Sequence, residues 1–415
     1  MSDALNKNKG SFIETVLIIV MLYMSGSIFF VSFYYSQCCI LIFVFMTAVY
    51  IMHGGLRQMS KNVVFSIILL ALCILTVIII NNTDKYYSYI AVFLQLLMAA
   101  EFAEIYGFER FKKLYVKIIS VFAVVSLIGY AITVLRPTVM LLFPKTDGEA
   151  SLDYYNAIIH VFASARGYSR FVPFLRNSGI FWEPGAYQAF LNLGILFFLD
   201  DLNPDDLNRK SLFGFFCMIL AVLTTFSTTG YILLFILLLS YIKKTSFLWK
   251  RNTVIFIAVI IGFALFLVFI NKRGLGFDFM GQKITDEISD KTYGSRLDLS
   301  DISIIVERPL GFLGISFETF SGQYGGAANS ILNTAICLGL PFTVILIFWY
   351  CCFASKCFEG KSLVAIVFLT AVFLTESLIW RPVFLILAWY GAIYKPLQQT
   401  DLSGEKNENI NSKLC

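Results

Sequence analysis

The chain has 415 residues, of which 58% are hydrophobic and only 14% are charged, and its mean hydropathy is +0.77. Soluble domains carry roughly 25% charged residues, so this composition excludes a soluble enzyme and predicts a polytopic membrane protein. The formal charge of +5 is modest, and nothing in its placement points to nucleic acid. We find no separate soluble domain, and we expect residues 1–415 to form a single all-α membrane domain.

Apolar runs divide the chain into about twelve predicted transmembrane helices. Several runs approach or exceed the roughly 20 apolar residues that cross a bilayer as a helix. Residues 212–242 are just long enough for two membrane crossings, which we predict. The alternative is one broken helix, which would place all later segments on the opposite side of the membrane. The predicted spans lie near residues 12–35, 38–52, 62–80, 86–105, 117–135, 186–199, 212–226, 229–242, 252–270, 330–353, 362–378 and 382–394.

Lysine and arginine are concentrated in one set of connections, which includes 110–117 and 243–251. Short cytoplasmic loops retain these residues, so this set predicts the cytoplasmic face, with both termini and the tail at 395–415 on it. The first span shows no small-residue cleavage pattern, so we expect it to be retained. Two long polar loops, 136–185 and 271–329, then lie on the external face.

The first external loop contains two notable stretches. Tyr155, Ile158, Ile159 and Phe162 recur at helical spacing and predict a short helix on the membrane surface, with His160 at the interface. The second stretch, RNSGIFWEPG at 176–185, is polar but lies between long apolar runs. Charges this close to a span are costly unless they are used, so this stretch predicts a binding site.

Arginines are unusually dense in the two external loops. Arginine presents a planar fork of donors that matches phosphate oxygens, so they predict a site for a phosphate or another anion. The alternative is that they pair with nearby acidic residues or with lipid headgroups. The arginines are Arg166, Arg170 and Arg176 in the first loop and Arg273, Arg296 and Arg308 in the second.

Glu183 is the candidate acid–base residue. It follows Trp182, and Pro184 and Gly185 favour a turn before the next span. A carboxylate here can act as general base for a sugar hydroxyl, or it can only complement the dipole of the helix that follows. For Asn329 an N-cap role is favoured over substrate contact. Because no metal-ligand cluster is found in the external loops, we expect metal-independent chemistry without a cofactor.

Four motifs, taken in order, resemble those of the superfamily of bacterial O-antigen polymerases and O-antigen ligases. In the third, Pro309, Gly311 and Gly314 look like the family's "nPl.G.G" segment. Each motif alone is weak, and their order and spacing give the set its specificity. The motifs, which run from Arg176 to Phe342, are RNSGIFWEPGAYQAFLNLGILF, STTGYILLFILLL, SRLDLSDISIIVERPLGFLGISF and ANSILNTAICLGLPF.

The resemblance implies an all-helical enzyme of glycosyltransferase type, acting at the outer leaflet of the bacterial inner membrane. A polymerase moves the growing polysaccharide from undecaprenyl diphosphate onto the next undecaprenyl-diphosphate-linked oligosaccharide, with a chain-length regulator protein as a partner. A ligase moves the finished chain onto lipid A core. Ligases carry a histidine where this chain has Ala328, which favours the polymerase, although the paired R-x10-G motifs of some polymerases are absent.

On this interpretation, Arg176 and Arg296 stabilise the leaving diphosphate and Glu183 activates the acceptor hydroxyl. The alternatives are the ligase, a transporter or flippase of lipid-linked oligosaccharide with charges at mid-bilayer depth, and a non-catalytic sensor. Further substrate contacts are expected from Arg166, Arg170, Arg308 and Asn329.

Overall fold

The computed structural model describes residues 2–28, 30, 35–55, 59–83, 86–147, 153–163, 176–202, 209–244, 303, 305–306, 308, 310–324, 329–358 and 360–393. These residues are largely helical. The helices are α1 (Ser2–Met24), α2 (Tyr35–Met52), α3 (Lys61–Asn81), α4 (Tyr86–Ile105), α5 (Phe108–Leu135), α6 (Pro184–Asp201), α7 (Arg209–Thr224), α8 (Thr228–Lys244), α9 (Phe317–Tyr324), α10 (Ser330–Cys337), α11 (Leu340–Cys357), α12 (Ser362–Thr375) and α13 (Pro382–Ile393). Short 3-10 segments lie at Pro137–Leu142 and Gly311–Leu313, and three strands are β1 (Lys145–Asp147), β2 (Asp153–Asn156) and β3 (Val161–Ala163).

The outer helices have the character of a membrane-embedded protein. Within the described residues, α3, α4, α5 and α11 are long and apolar enough to cross a membrane, and further apolar helices are shorter. Large apolar patches exposed to water are unfavourable, whereas hydrocarbon accepts them. On α3 the exposed apolar side chains follow one helical face, namely Phe65, Ile68, Leu72, Leu75 and Ile79.

Helix α6 is the centre of the bundle. Every residue from Gly185 to Leu199 is buried, and α5, α7 and α8 pack around it. A Cβ added at Gly194 would lie 2.5 Å from Ile119 and 3.0 Å from the Met218 sulfur, so the glycine allows three helices to approach closely. The positions of both ends of α6 determine where the polar chemistry of the bundle can lie.

One end of the bundle, which we call the basic end, carries most of the cations among the described residues. It contains Arg110, Lys112, Lys113, Lys117, Lys210, Lys356 and Lys361. Lys112 Nζ lies 2.9 Å from the Asp200 carboxylate, and Lys361 Nζ donates to the Leu199 carbonyl at 3.1 Å. These contacts fix the C-terminal end of α6, where cations also favour the helix dipole.

The opposite end, which we call the loop end, is where the polar segments of the sequence gather. There the Ile28 N–H donates to the Ile180 carbonyl at 3.4 Å, and Asn81 Nδ2 donates to the Gly314 carbonyl at 3.1 Å. Segments from both long loops therefore lie at one end of the bundle. The convergence of the two loops on the external face stays a prediction.

Residues 212–242 form two helices, as predicted. Helix α7 ends at Thr224, Phe226 takes a positive φ of +49°, and α8 begins at Thr228. The Tyr231 hydroxyl donates back to the Leu223 carbonyl at 2.7 Å, so the two helices form a hairpin. The turn lies slightly earlier than the predicted Ser227–Gly230. Helix α8 thus runs from the loop end towards the basic end, which suits a further crossing at 252–270, although that span lies outside the described residues.

The predicted surface helix around Tyr155 is wrong, because this segment forms part of a small antiparallel sheet. β1 pairs with β2 and β2 pairs with β3, with Tyr155 opposite both Lys145 and Phe162. Asn156 Oδ1 accepts from the Ile158 N–H at 2.8 Å, and Ile158 has a φ of +67°, which ends any helix. Pairing with β1, ten residues away, decides the conformation.

The predicted single span at 330–353 is also wrong, because it is broken between α10 and α11. Gly339 has a φ of +89°, a conformation that other residues rarely adopt. The Ile315 N–H donates to the Ile336 carbonyl at 2.7 Å and so satisfies an end of α10. The first predicted span also stops early, since α1 ends at Met24.

His160 is buried rather than interfacial, and we expect it to make folding pH-dependent. It packs against Gly129 of α5 and edge-on to Phe162, and burial lowers the pKa of His160 from 6.5 to about 4. The unfolded chain therefore binds a proton that the folded chain excludes. The contribution of neutral His160 to the free energy of unfolding is fully present above pH 6.5. It falls by about 3 kcal/mol as the pH drops to about 4.

Thermal unfolding of the detergent-solubilised protein across this pH range measures the effect. The variant His160→Phe lacks the titrating group and serves as the matched control. A wild-type pH slope equal to that of the variant would contradict this prediction.

Candidate functional site

The segment Asn177–Trp182 is fixed to several helices at the loop end. The Asn177 N–H donates to the Thr224 carbonyl at 3.0 Å, and its Nδ2 reaches Ser126 Oγ at 3.2 Å. At the other end of the segment, the Trp182 N–H donates to the Gly26 carbonyl at 3.1 Å. The segment is therefore a rigid part of the bundle, from which Arg176 and Glu183 project at either end.

Gly179 makes the sharp turn in this segment. Its φ is +58°, and the Asn177 Oδ1 accepts from its N–H at 3.0 Å. A Cβ at this position would lie 2.9 Å from the Tyr187 ring. Both the conformation and the lack of space therefore require glycine here, which explains the Asn-Ser-Gly sequence in structural terms.

Arg176 is half-buried beside the turn between α7 and α8. Its Nε donates to the Thr225 carbonyl at 2.9 Å, and its charge interacts with the hydroxyl of Tyr231. The backbone of the turn between α7 and α8 therefore fixes the orientation of Arg176, which was predicted to bind an anion, at the loop end.

Two carboxylates lie at the N-terminus of α6. Glu183 occupies the N-cap position without a side-chain capping bond, and Pro184 opens the helix. Glu376 is 1% exposed, and its Oε1 lies directly against Gly185. A helix N-terminus favours negative charge, so the dipole role predicted for Glu183 fits its position, and the base role stays a prediction. In the sequence, Glu376 and Arg381 straddle the last external turn, which predicted only an ion pair between them.

The turn after Glu376 is held by Ser330. The Ser330 hydroxyl donates to the Glu376 carbonyl and accepts from the Leu378 N–H at 2.6 Å and the Ile379 N–H at 3.3 Å. This buried hydroxyl therefore connects the start of α10 to the connection between α12 and α13.

Replacing Ser330 by alanine should destabilise the protein by about 1–3 kcal/mol, because the buried Ile379 N–H would lose its hydroxyl acceptor. The Leu378 N–H would keep only the Glu376 carbonyl, at 2.9 Å. Thermal unfolding in detergent measures the change. Ser240→Ala is the control, because the Ser240 hydroxyl only donates to a helix carbonyl of its own turn, Leu237. Equal effects of the two substitutions would refute the connecting role of Ser330.

Arg381 links the two polar segments of the chain. Its guanidinium carbon lies 5.1 Å from the Trp182 ring centroid and 5.4 Å from that of Trp380. Phe317, the last residue of the third motif, stacks on Trp380, with the ring centroids 5.3 Å apart and the ring planes 15° apart. The result is a cation held between aromatic faces, next to the acidic N-terminus of α6. We call Trp182, Glu183, Phe317, Trp380 and Arg381 the aromatic–arginine cluster.

The motif glycines also meet. A Cβ added at Gly314 would lie 2.9 Å from the Gly339 nitrogen, and one added at Gly339 would lie 2.6 Å from the Leu313 carbonyl oxygen. The backbones of the third and fourth motifs therefore cross in direct contact, and both glycines have positive φ. This close contact explains why both positions are occupied by glycine.

The other predicted residues are placed as follows. Asn329 is the N-cap of α10, and its Oδ1 accepts from the Ile331 and Leu332 N–H groups at 3.0 and 3.2 Å. Arg308 is half-buried, and its carbonyl accepts from the Gly311 N–H at 2.9 Å. Arg166, Arg170 and Arg296 lie outside the described residues. In the part of the chain that is described, no group of three or more His, Cys, Asp or Glu residues forms a metal site.

Sequence reasoning missed Arg381 and Trp380 as members of the site. Arg381 was visible as one of the few cations in the short external connections, but its proximity to Trp182 depends on tertiary packing. No family model, curated protein or solved structure matches this chain.

Proposed function

We propose that the chain is a polysaccharide polymerase that joins undecaprenyl-diphosphate-linked oligosaccharide repeat units. The observation that carries the proposal is the aromatic–arginine cluster, which brings together Trp182 of the first motif and Phe317, the last residue of the third. Described residues of the first and third motifs, two of the four that resemble the O-antigen polymerase and ligase superfamily, thus lie together at the loop end. Ala328 at the ligase histidine position favours the polymerase over the ligase.

In this proposal the loop end faces the periplasm and the basic end faces the cytoplasm. The concentration of lysine and arginine at the basic end supports this orientation, because cytoplasmic connections retain these residues. The chain then crosses the bacterial inner membrane about twelve times, with both termini cytoplasmic. Both large loops lie outside, where the lipid-linked glycan is presented.

The reaction is a transfer of a glycosyl group between two lipid-linked substrates. The acceptor hydroxyl oxygen bonds to the anomeric carbon of the donor, while the bond from that carbon to the diphosphate oxygen breaks. Arg381 and Arg176 stabilise the negative charge that develops on the departing diphosphate. Glu183 accepts the proton from the acceptor hydroxyl, and Glu376 lies on the same helix terminus as a second carboxylate.

The chemistry of the cluster suits this substrate. A guanidinium binds phosphate oxygens with two parallel donors, and the rings of Trp182 and Trp380 restrict the plane in which Arg381 presents them. Aromatic faces also offer apolar surface to the C–H faces of sugars. Since Ser330 and the Trp182 backbone hold the cluster in place, little reorganisation is needed on binding.

The length profile of surface polysaccharide in a deletion strain tests the proposal. Loss of a polymerase should leave lipid A core bearing a single repeat unit, and the intact gene should restore long chains. Core without any repeat unit would indicate the ligase. An unchanged profile, with lipid-linked repeat units still processed normally, would refute both enzymes.

A further inference from the structure

A large cleft opens on the side of the bundle at the basic end, away from the aromatic–arginine cluster. It lies between α5, the C-terminal end of α6 and the first turns of α7, and its volume is about 790 Å³. Sites for small molecules commonly measure roughly 300–1,000 Å³. The cleft is therefore large enough for a ligand and independent of the proposed catalytic function.

The charged part of the cleft is predominantly positive. Among the described residues, Lys113, Lys117 and Lys210 line it together with one carboxylate, that of Asp201. Asp201 is already paired with Lys112, whose Nζ lies at 2.5 Å. Lys113 and Lys117 are one helical turn apart on α5, so they present their charges on the same face. This part of the cleft is complementary to an anion.

The remainder of the cleft is apolar and opens sideways. Val116, Val121 and Val124 continue the lysine face along α5, and Phe198 and Phe213 close the other side. Val121 and Phe213 are 61% and 62% exposed. A ligand with an anionic head and an apolar tail would thus match the cleft along its length.

The length of α5 places the lysines at the level of lipid headgroups. Its 28 residues span about 42 Å, whereas the hydrocarbon core is about 30 Å thick and needs about 20 residues. Counting back from Leu135, the first two turns extend beyond the hydrocarbon. Lys113 therefore lies in the headgroup layer, and Lys117, just inside the boundary, reaches it with its long side chain. Val121 and Val124 remain in the hydrocarbon.

We propose that this cleft binds one anionic phospholipid of the surrounding bilayer. The phosphate contacts Lys113, Lys117 and Lys210, and one acyl chain lies along the valine face of α5. Basic pockets between membrane helices bind such headgroups. A zwitterionic lipid would bring its own cation towards three lysines, and a peptide in the apolar part would leave backbone groups unsatisfied.

Lipid binding to the full-length protein in detergent tests the proposal. Native mass spectrometry should detect one bound phosphatidylglycerol, and its addition should raise the Tm, whereas phosphatidylcholine should do neither. Lys117→Gln should weaken phosphatidylglycerol binding about 5-fold, and Lys113→Gln with Lys117→Gln about 25-fold. Lys61→Gln removes one exposed charge outside the cleft and should leave the affinity unchanged.

A second arm distinguishes a lipid from a free phosphate. Val121→Trp fills the exposed apolar part, so it should weaken phosphatidylglycerol binding but leave any effect of inorganic phosphate unchanged. The proposal is overturned if phosphatidylcholine binds equally, if Lys61→Gln weakens binding as much as Lys117→Gln, or if Val121→Trp has no effect on lipid binding.

Discussion

Replacing Arg381 by alanine is expected to stop chain extension while the protein remains folded. The guanidinium lies between Trp182 and Trp380, where its charge is oriented towards the proposed diphosphate site. Removing one preorganised donor from such a site lowers the rate by about 10²–10³-fold. The stability loss should be small, since each exposed cation–π contact contributes about 0.5–1 kcal/mol.

Extension of purified lipid-linked repeat units, measured as product length against time, quantifies this effect. Arg136→Ala removes an exposed cation from the same end of the bundle and should leave the rate unchanged. Arg381→Lys keeps the charge but lacks the planar fork, so it should recover only part of the activity. Normal extension by Arg381→Ala would remove Arg381 from the proposed mechanism.

Replacing Lys112 by methionine is expected to lower the free energy of unfolding more than Ser330→Ala or Arg381→Ala does. Its side chain is 3% exposed, and its Nζ lies 2.9 Å from Asp200 and 3.0 Å from Glu109. Removing one partner of a buried ion pair leaves an uncompensated charge, which costs about 3–5 kcal/mol. Lys361 Nζ, 3.4 Å from Asp200, compensates in part, so we expect the lower end of this range.

Thermal unfolding in detergent measures the loss, and the neighbouring lysine gives a matched control. Lys113 is exposed on the same helix, so Lys113→Met should change stability by only about 0.5 kcal/mol. Adding Asp200→Asn to Lys112→Met should restore part of the loss, because one fewer buried charge is left unpaired. Equal Tm values for Lys112→Met and Lys113→Met would contradict this account.

The helices that cross the bundle could be predicted from sequence, because their signal is local. Apolar runs identified α3 and α4 within one residue at each end, whereas α5 begins at Phe108 rather than at the predicted residue 117. The division of residues 212–242 into two helices was predicted correctly, although the turn lies slightly before the predicted Ser227–Gly230. A signal for the break between α10 and α11 was present in Gly339 and Pro341, since glycine and proline punctuate helices. The break was not predicted, because the residues on both sides of it are as apolar as those of a single transmembrane span.

The sheet and the aromatic–arginine cluster could not be predicted in the same way. Tyr155, Ile158 and Phe162 have helical spacing, yet Tyr155 pairs with Lys145, ten residues upstream, and Phe162 pairs with Tyr155. Ile158 lies in the turn between these two strands, with a positive φ. Arg381 and Trp182 are distant in sequence and meet only because α13 and α6 pack into one bundle. Local patterns carry no information about such contacts, so Arg381 was seen as a loop charge and Glu376 as its neighbour.

The complete burial of α6 has a consequence for the biogenesis of the protein. Its core position contrasts with its composition, since it holds Gln188 and Asn192 and is not among the four described helices that are apolar enough to span a bilayer by themselves. Nascent helices partition into lipid one at a time according to hydrophobicity. On the proposed topology, in which α6 crosses the membrane, we therefore expect α6 to insert together with α5 and α7, so that its position is fixed only after these neighbours have been synthesised.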